Sequence, residues 1–243
     1  MTLKCIGTGS SGNCYLLISD NGETLILDCG LPIKEIKKGL DWNIENVVGC
    51  VVTHAHQDHS KSAKDLSDIG IPVFTPYDSM VANQFLANSY FSVRPFDLTT
   101  VYGRWTHTNA DGSECPCYGF LIIHKEMGRM LYITDTELIK WRFKDINHIL
   151  LGVNYDKELV DSENQSKNNH IFRGHLEIGT ACDFVSANNS STLQNVIMCH
   201  LSSENADNNL FVDKMKNVAC MANVFVAERG LEVELRNKNE CPF

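Results

Sequence analysis

The chain has 243 residues, 43% of them hydrophobic, and 21 basic against 30 acidic side chains give a formal net charge of −9. Such a content suits one sizeable domain spanning 1–243 with an ordinary core, and no apolar run is long enough to cross a bilayer. The acidic balance argues against a surface built to grip a long polyanion, which normally meets a basic face, although bound divalent cations would offset part of the deficit.

Met1-Thr2-Leu3-Lys4-Cys5-Ile6-Gly7 carries no charged segment followed by an apolar stretch and a small-residue cleavage site, so no secretory signal is expected. Gly7-x-Gly9-x-x-Gly12 formally matches a dinucleotide fingerprint. That fingerprint requires a helix next, and the strand-like Cys14–Ser19 follows instead, so the cofactor reading is rejected. A tight strand–loop–strand turn remains. Its backbone N–H groups at Ser10, Ser11, Gly12 and Asn13 either face an anionic substrate or only close the turn. Ser11 and Asn13 are therefore candidate substrate contacts.

Short apolar runs read as strands at 14–19, 23–28, 47–53, 71–74, 117–124, 129–134, 146–152, 195–199, 222–226 and 231–236. Helical spacing predicts helices around 32–40, 60–69, 78–88, 176–187 and 207–219, with Asp78 and Asp207 as caps for the third and last. The polar stretches 161–169, 186–192 and 202–209 read as surface loops, and the tail from Arg236 as frayed. Each half runs from strands to interleaved helices and strands, which fits two packed sheets with helices outside. Ten cysteines are spread along the chain, most inside apolar runs such as Gly49-Cys50-Val51-Val52. There they read as small buried hydrophobes of a reduced cytosolic protein, and Cys115-Pro116-Cys117 is not a metal-type Cys-x-x-Cys pair.

The densest chemistry lies in Thr53-His54-Ala55-His56-Gln57-Asp58-His59. Three imidazoles and a carboxylate so close together conflict unless they share a cation, and neutral imidazole and carboxylate are both good ligands for one. Four such groups exceed what one tetrahedral ion needs with a position left open for catalysis, so two ions are expected. Asp28, His54, Asp135 and His200 each fall just past a predicted strand, where a rigid fold can hold a polar side chain in fixed geometry. His107 lies in a less regular stretch, with His124 as a competitor on what reads as a solvent-facing turn. His148, inside an apolar run, reads as a satisfied core or edge residue. Asp28 is expected to orient a ligand imidazole rather than bind metal itself.

These stations, in this order, resemble the metallo-β-lactamase superfamily, whose signature is His-x-His-x-Asp-His. The resemblance implies a four-layer αββα sandwich with a dinuclear site between two sheets. It implies His54, His56 and His107 on one metal, Asp58, His59 and His200 on the other, and Asp135 bridging. Asp28 matches the structural aspartate of Leu-Asp-Cys-Gly. Gly9-Ser10-Ser11-Gly12-Asn13, Asn154-Tyr155-Asp156 and His200-Leu201-Ser202-x-Glu204-Asn205 are similar to the YycJ-like bacterial and phage branch. That branch includes nucleases and phage anti-Pycsar enzymes, homodimers that hydrolyse cyclic mononucleotides. Two stretches depart from it: Tyr155 stands where many members have His, and 108–114 looks like an insertion after His107.

The expected chemistry is phosphodiester hydrolysis, with Asp58 and His175 as the catalytic candidates. Two metals about 3.5–4 Å apart would position a bridging hydroxide for in-line attack on phosphorus. His175, at a predicted helix start, is a candidate general acid or phosphate contact, or else a helix-terminal histidine without chemistry. Asn154 and Arg173 are candidates for orienting the substrate. Cyclic mononucleotides lead as substrate. A YycJ-like exonuclease acting on DNA ends is the alternative, and an acyl hydrolase of lactones, thioesters or β-lactams comes third. Imidazole-rich ligation favours Zn2+, with Mn2+ as the other candidate. A cytoplasmic homodimer is expected, in the host's cytoplasm for a phage-encoded chain, with the segment 161–170 reaching toward the partner's pocket and no membrane partner.

Overall fold

The computed structural model describes residues 1–77, 90–101, 113–160, 172 and 174–237, with backbone alone for 83–84, 106–108 and 114. Two seven-stranded sheets carry the architecture. The first contains β1 (Thr2–Gly7), β2 (Cys14–Ile18), β3 (Thr24–Leu27), β4 (Val47–Val51), β5 (Val73–Thr75), β6 (Asn83–Gln84) and, closing the other edge, β16 (Glu232–Glu234). The second runs in the order β15 (Asn223–Val226), β14 (Asn195–Cys199), β13 (His148–Gly152), β12 (Gly128–Ile133), β11 (Gly119–His124), β8 (Phe96–Val101) and β7 (Tyr90–Val93). A hairpin of β9 (Thr106–Thr108) and β10 (Glu114–Pro116) stands apart from both. Each sheet begins with antiparallel neighbours and switches to parallel ones, at β3–β4 in the first and β12–β13 in the second.

Three apolar clusters fill the three spaces of a four-layer sandwich. Between the sheets, Leu3, Tyr15, Leu17, Leu25 and Leu27 meet Phe96, Phe120, Ile122, Met130 and Tyr132. Outside the first sheet, Leu16, Ile26 and Cys50 pack on α1 (Ile33–Gly39) and α3 (Ala63–Asp68) through Ile36 and Leu66. Outside the second, Leu131, Ile149 and Val196 pack on α4 (Ile178–Asn188) and α5 (Asn208–Ala219) through Phe184, Phe211 and Met215. The inner strands β2, β3, β13 and β14 are buried on both faces, so they read as continuous apolar runs and not as alternating ones. The expected αββα layering is what forms.

Asp207 caps α5, its side chain accepting from the Leu210 N–H at 2.9 Å, and Glu177 caps α4 through Thr180. The helix expected over 60–69 is split into α2 (Gln57–Ser60) and α3. Within the helix expected over 78–88, Asn83–Gln84 is instead a strand paired parallel to β5, and Asp78 lies outside the described residues. Residues 186–188, expected in a loop, finish α4. His124 is buried rather than solvent-facing, tilted against Phe96 with ring centroids 5.0 Å apart. His148 is satisfied as expected, by the Arg236 carbonyl and Asn195.

Lys214 on α5 donates to Asp156 at 2.5 Å. Asp156 is only 1% exposed; burial pushes its carboxyl up, but the Lys214 hydrogen bond and the Glu158 N–H outweigh that and hold it below the usual range. A carboxyl with a lowered pKa contributes stability above its unfolded value and loses it as pH falls through the folded one. Lys214→Met is therefore expected to destabilise the protein by about 1–2 kcal/mol near neutral pH, because it strands a buried carboxylate. That deficit should narrow in acid, as read by urea unfolding at pH 7 and pH 3.5.

Candidate metal centre

Parallel strands deliver their C-terminal ends to a common edge, where loops can converge on one point. Here β3, β4, β12 and β14 hand over directly to Asp28, the Thr53–His54 pair, Asp135 and His200. Asp28, Asp135 and His200 have φ of 57°, 47° and 57°. Such left-handed conformations cost a non-glycine residue about 1–3 kcal/mol and persist where the surroundings impose them, typically at functional sites. The sharp turn lets each side chain fold back over the edge it has just left.

The short helix α2 brings Asp58 and His59 to the same place. Its position depends on close backbone approach at Gly30, where a Cβ would lie 1.8 Å from the Asp58 carbonyl oxygen. Cys29 N–H donates to the His59 carbonyl at 2.8 Å and Asn13 N–H to that of Asp58 at 2.7 Å.

One ligand atom from each of Asp58, His59, Asp135 and His200 falls within a set whose members are all within 4.8 Å of one another. Asp58 Oδ2 is 3.5 Å from His59 Nε2 and 3.3 Å from His200 Nε2. Asp135 Oδ2 is 3.4 Å from His59 Nε2 and 3.6 Å from His54 Nε2. Its Oδ1 is 3.6 Å from His200 Nε2 and 3.9 Å from His175 Nδ1. Most of these spacings are long for charge-assisted hydrogen bonds, which run near 2.7–2.9 Å. Donors sharing a tetrahedral ion at about 2.0–2.2 Å stand roughly 3.3–3.6 Å apart along each edge. The donor set thus fits a divalent ion in both chemistry and spacing.

Behind the donors, hydrogen bonds fix which nitrogen points inward. Asp28 is fully buried; its Oδ2 lies 2.7 Å from His59 Nδ1 and accepts from Thr53 Oγ1 at 3.0 Å and Tyr132 Oη at 2.5 Å, while Oδ1 accepts from Thr53 N–H at 2.7 Å. A carboxylate on Nδ1 leaves Nε2 as the ligand nitrogen, the usual outer-shell arrangement. Thr53 Oγ1 also sits 3.0 Å from His54 Nδ1. Asn154 Nδ2 donates to the His200 carbonyl at 2.8 Å and lies 3.2 Å from His200 Nδ1.

The electrostatics couple the donors to one another. Burial opposes charge on His59 and His200, yet Asp135 and Asp28 raise the first and Asp135 and Asp58 the second above the usual histidine range. Burial also opposes charge on Asp135, and the His200 and His59 charges overcome it and hold the carboxyl well below the usual range. Asp58 is lowered in the same way, against burial, by the His200 hydrogen bond and the His59 charge. The carboxylates and imidazoles of the cluster thus favour one another's charged forms.

Of the residues singled out from sequence, His54, Asp58, His59, Asp135 and His200 converge, with His175 stacked on His200 at 5.3 Å between centroids. His56 is half-buried on the outer side of His54, ring centroids 4.8 Å apart. His107 lies on β9 opposite Cys115 of β10, and Thr108 lies opposite Glu114; residues 109–112 of the stretch 108–114, the side chain of His107, and all of Arg173 and 161–171 lie outside the described residues. Ser11 is exposed on the glycine-rich turn. Asn13 is buried beneath the donors, with Oδ1 accepting from Gly9 N–H and Tyr15 Oη and Nδ2 3.1 Å from His59 Nε2.

Sequence reasoning missed Tyr132, Tyr15, Thr53 and Thr8. Tyr15 Oη donates to Thr8 Oγ1 at 2.9 Å, and that hydroxyl accepts from the His200 N–H at 2.9 Å. The available signal was a tyrosine on the inward face of an apolar strand, whose hydroxyl must find a partner once buried.

Residues 7–75 match the family model described as the metallo-beta-lactamase superfamily. The chain is 25% identical over 172 residues to the exodeoxyribonuclease YycJ of Bacillus anthracis, a match covering 64% of this chain and 63% of that protein. It is 32% identical over 63 residues to the anti-Pycsar protein Apyc1 of Bacillus phage BSP38, covering 24% of this chain and 25% of that one. The chain thus spans less than two thirds of the length of these curated relatives. Among solved structures, the metallo-beta-lactamase fold protein YhfI of Bacillus subtilis superposes with a TM-score of 0.69 over 96% of this chain and 98% of its own, at 15% identity. At that identity the likeness is one of fold.

Proposed function

We propose that the chain, whose residues 7–75 match the metallo-beta-lactamase superfamily model, is a metal-dependent hydrolase of that superfamily, and within it a dinuclear phosphodiesterase whose leading substrates are cyclic mononucleotides. The observation that carries this reading is the convergence of Asp58, His59, Asp135 and His200 on one point between strand ends. When bound, divalent cations would supply positive charge to the phosphoryl oxygens and lower the pKa of water enough to make it a nucleophile at neutral pH.

The chain's own residues would do the rest. Asp58, His59 and His200 would hold one ion, and His54, His56 and His107 the other, with Asp135 shared because its Oδ2 faces both His59 and His54 while its Oδ1 faces His200. Asp28 holds the His59 proton at Nδ1 and keeps Nε2 turned inward. His175 turns Nδ1 toward Asp135, so Nε2 would deliver a proton to the departing alkoxide, which needs one at neutral pH. Asn154 braces His200, while Ser11 and Arg173 remain candidates for holding the substrate.

A second reading, exonuclease action on DNA ends, is favoured by the longer of the two matches, that to the exodeoxyribonuclease. The net charge of −9 favours the smaller substrate. The deciding experiment offers cyclic mononucleotides, cyclic dinucleotides and DNA ends to protein loaded with zinc and, separately, with manganese. Cyclic mononucleotide turnover with little salt dependence supports the first reading, steeply salt-dependent DNA degradation the second, and turnover of acyl esters alone removes both.

Metal titration provides an independent check. Calorimetry on chelated protein is expected to show two ions per chain and proton release on binding, because His59 and His200 hold protons above the usual histidine range. Affinity should therefore rise as pH climbs above the ordinary histidine range. A pH-independent affinity would contradict the ligand assignment.

A further inference from the structure

We propose that the exposed ring of Phe172, backed by Tyr155, is a platform on which the base of a nucleotide substrate stacks while its phosphate sits at the Asp135–His200 cluster. The proposal rests on the phosphodiesterase reading and adds to it the part of the substrate that is recognised.

Phe172 is 40% exposed although it is a large apolar side chain. It lies against Tyr155 with ring centroids 5.4 Å apart at 47°. Tyr155 is itself buried, and its carbonyl accepts from the Ile178 N–H at the start of α4 at 3.0 Å. The exposed ring therefore has a rigid aromatic support, which lowers the entropy lost when a flat ligand settles on it.

Two connections tie this ring to the metal donors through the chain. Tyr155 follows Asn154, whose amide donates to the His200 carbonyl. Three residues beyond Phe172, His175 stacks on His200 and faces Asp135. Short stretches of chain thus join the exposed aromatic to the candidate proton donor and to the residue that braces His200. Leu138, three residues past Asp135, and Leu159, three past Asp156, are also left open, at 43% and 44%.

Charge decides which end of a nucleotide would lie there. Burial, then the carboxylates of Glu177 and Glu137, push the Tyr155 phenol up to about 12, so the platform stays neutral in anionic surroundings. A phosphate would be repelled from that position, whereas the neutral face of a base would not. Aromatic stacking tolerates any base, because every base has a π-face. The site is accordingly expected to accept different bases and to reject substrates that have none.

The test compares wild type, Phe172→Ala and Phe172→Trp on thymidine 5′-(p-nitrophenyl phosphate) and on methyl p-nitrophenyl phosphate, with zinc-loaded protein. Phe172→Ala is expected to raise KM about tenfold for the nucleoside ester, with kcat unchanged and no effect on the methyl ester. Phe172→Trp should restore the wild-type KM. Equal changes on both esters, or none on either, would overturn the platform. A second measurement, equilibrium dialysis with AMP and ribose 5-phosphate, does not need turnover. Tighter binding of AMP by wild type, lost in Phe172→Ala, supports the platform even if neither ester and no cyclic mononucleotide or DNA end is hydrolysed, in which case the phosphodiesterase reading alone fails. Equal affinity of wild type for the two ligands removes the platform whatever the catalytic result.

Discussion

Asp135→Ala is expected to eliminate turnover of bis-p-nitrophenyl phosphate while leaving the sandwich folded. Asp135 is 3% exposed and lies within 3.4–3.9 Å of four imidazoles, those of His54, His59, His175 and His200. Replacing a residue that merely orients a metal ligand typically costs about 10–100-fold. A carboxylate shared between two ion sites should cost more, about 10³-fold or beyond. The backbone effect is smaller: alanine tolerates the left-handed φ of 47° less well than aspartate, at roughly 1–2 kcal/mol. Asp135→Asn avoids that cost, because asparagine also accepts this conformation, and should lose activity just as fully. The chelated wild-type protein gives a second readout. His59 and His200 are raised above the usual histidine range, partly by Asp135. Raised imidazoles contribute stability below their unfolded value of about 6.5 and lose it as pH rises through the folded one. Tm of the chelated protein should therefore fall as pH rises above that point, and Asp135→Asn should flatten the slope. Full activity and undiminished metal content in either variant would refute the shared-ligand role.

The strands that build the site were legible because they are buried on both faces and so appear as unbroken apolar runs. β1 was not, because Lys4 interrupts its run; yet it is a central strand, hydrogen-bonded to β2 on one side and β16 on the other. In β8, Phe96-Asp97-Leu98-Thr99-Thr100-Val101 mixes threonines and a carboxylate into its pattern, and such strands are easily passed over in favour of loops. The donors themselves stood out through residue type and through their position after strands. Of their support, Asp28 stood out too; Tyr132 and Thr8 did not, because their contacts reach across the sheets. Tyr132 meets Asp28 across 104 positions of sequence and His200 meets Thr8 across 192. No local spacing encodes such a pairing; it follows from the way the two sheets are stacked.

Asp28 is where that stacking and the chemistry meet, and Asp28→Ala should be the most destabilising single change at the site. Its carboxylate is fully buried and faces Thr53 N–H, Thr53 Oγ1, His59 Nδ1 and Tyr132 Oη. Tyr132 belongs to the second sheet, and Asp28 and Thr53 to strand ends of the first. Alanine would leave these donors facing an apolar gap, and each buried unsatisfied donor costs about 1–3 kcal/mol. Because water can enter and neighbours relax, a total of about 3–5 kcal/mol is expected rather than the full sum. Asp28→Asn keeps the volume and one acceptor oxygen but turns an NH₂ toward Thr53 N–H in one orientation or toward the other three donors in the opposite one, so it should recover only part of that loss. Tyr132→Phe removes one donor and leaves the carboxylate three partners, and should cost about 0.5–1.5 kcal/mol. The three variants make an ordered series in denaturant unfolding of chelated protein, alanine worst and phenylalanine mildest. Metal affinity should follow the same order, because without the Nδ1 partner nothing holds the His59 ring with Nε2 turned inward. A stable Asp28→Ala protein that binds zinc as tightly as wild type would mean that the His59 ring is held by its packing alone.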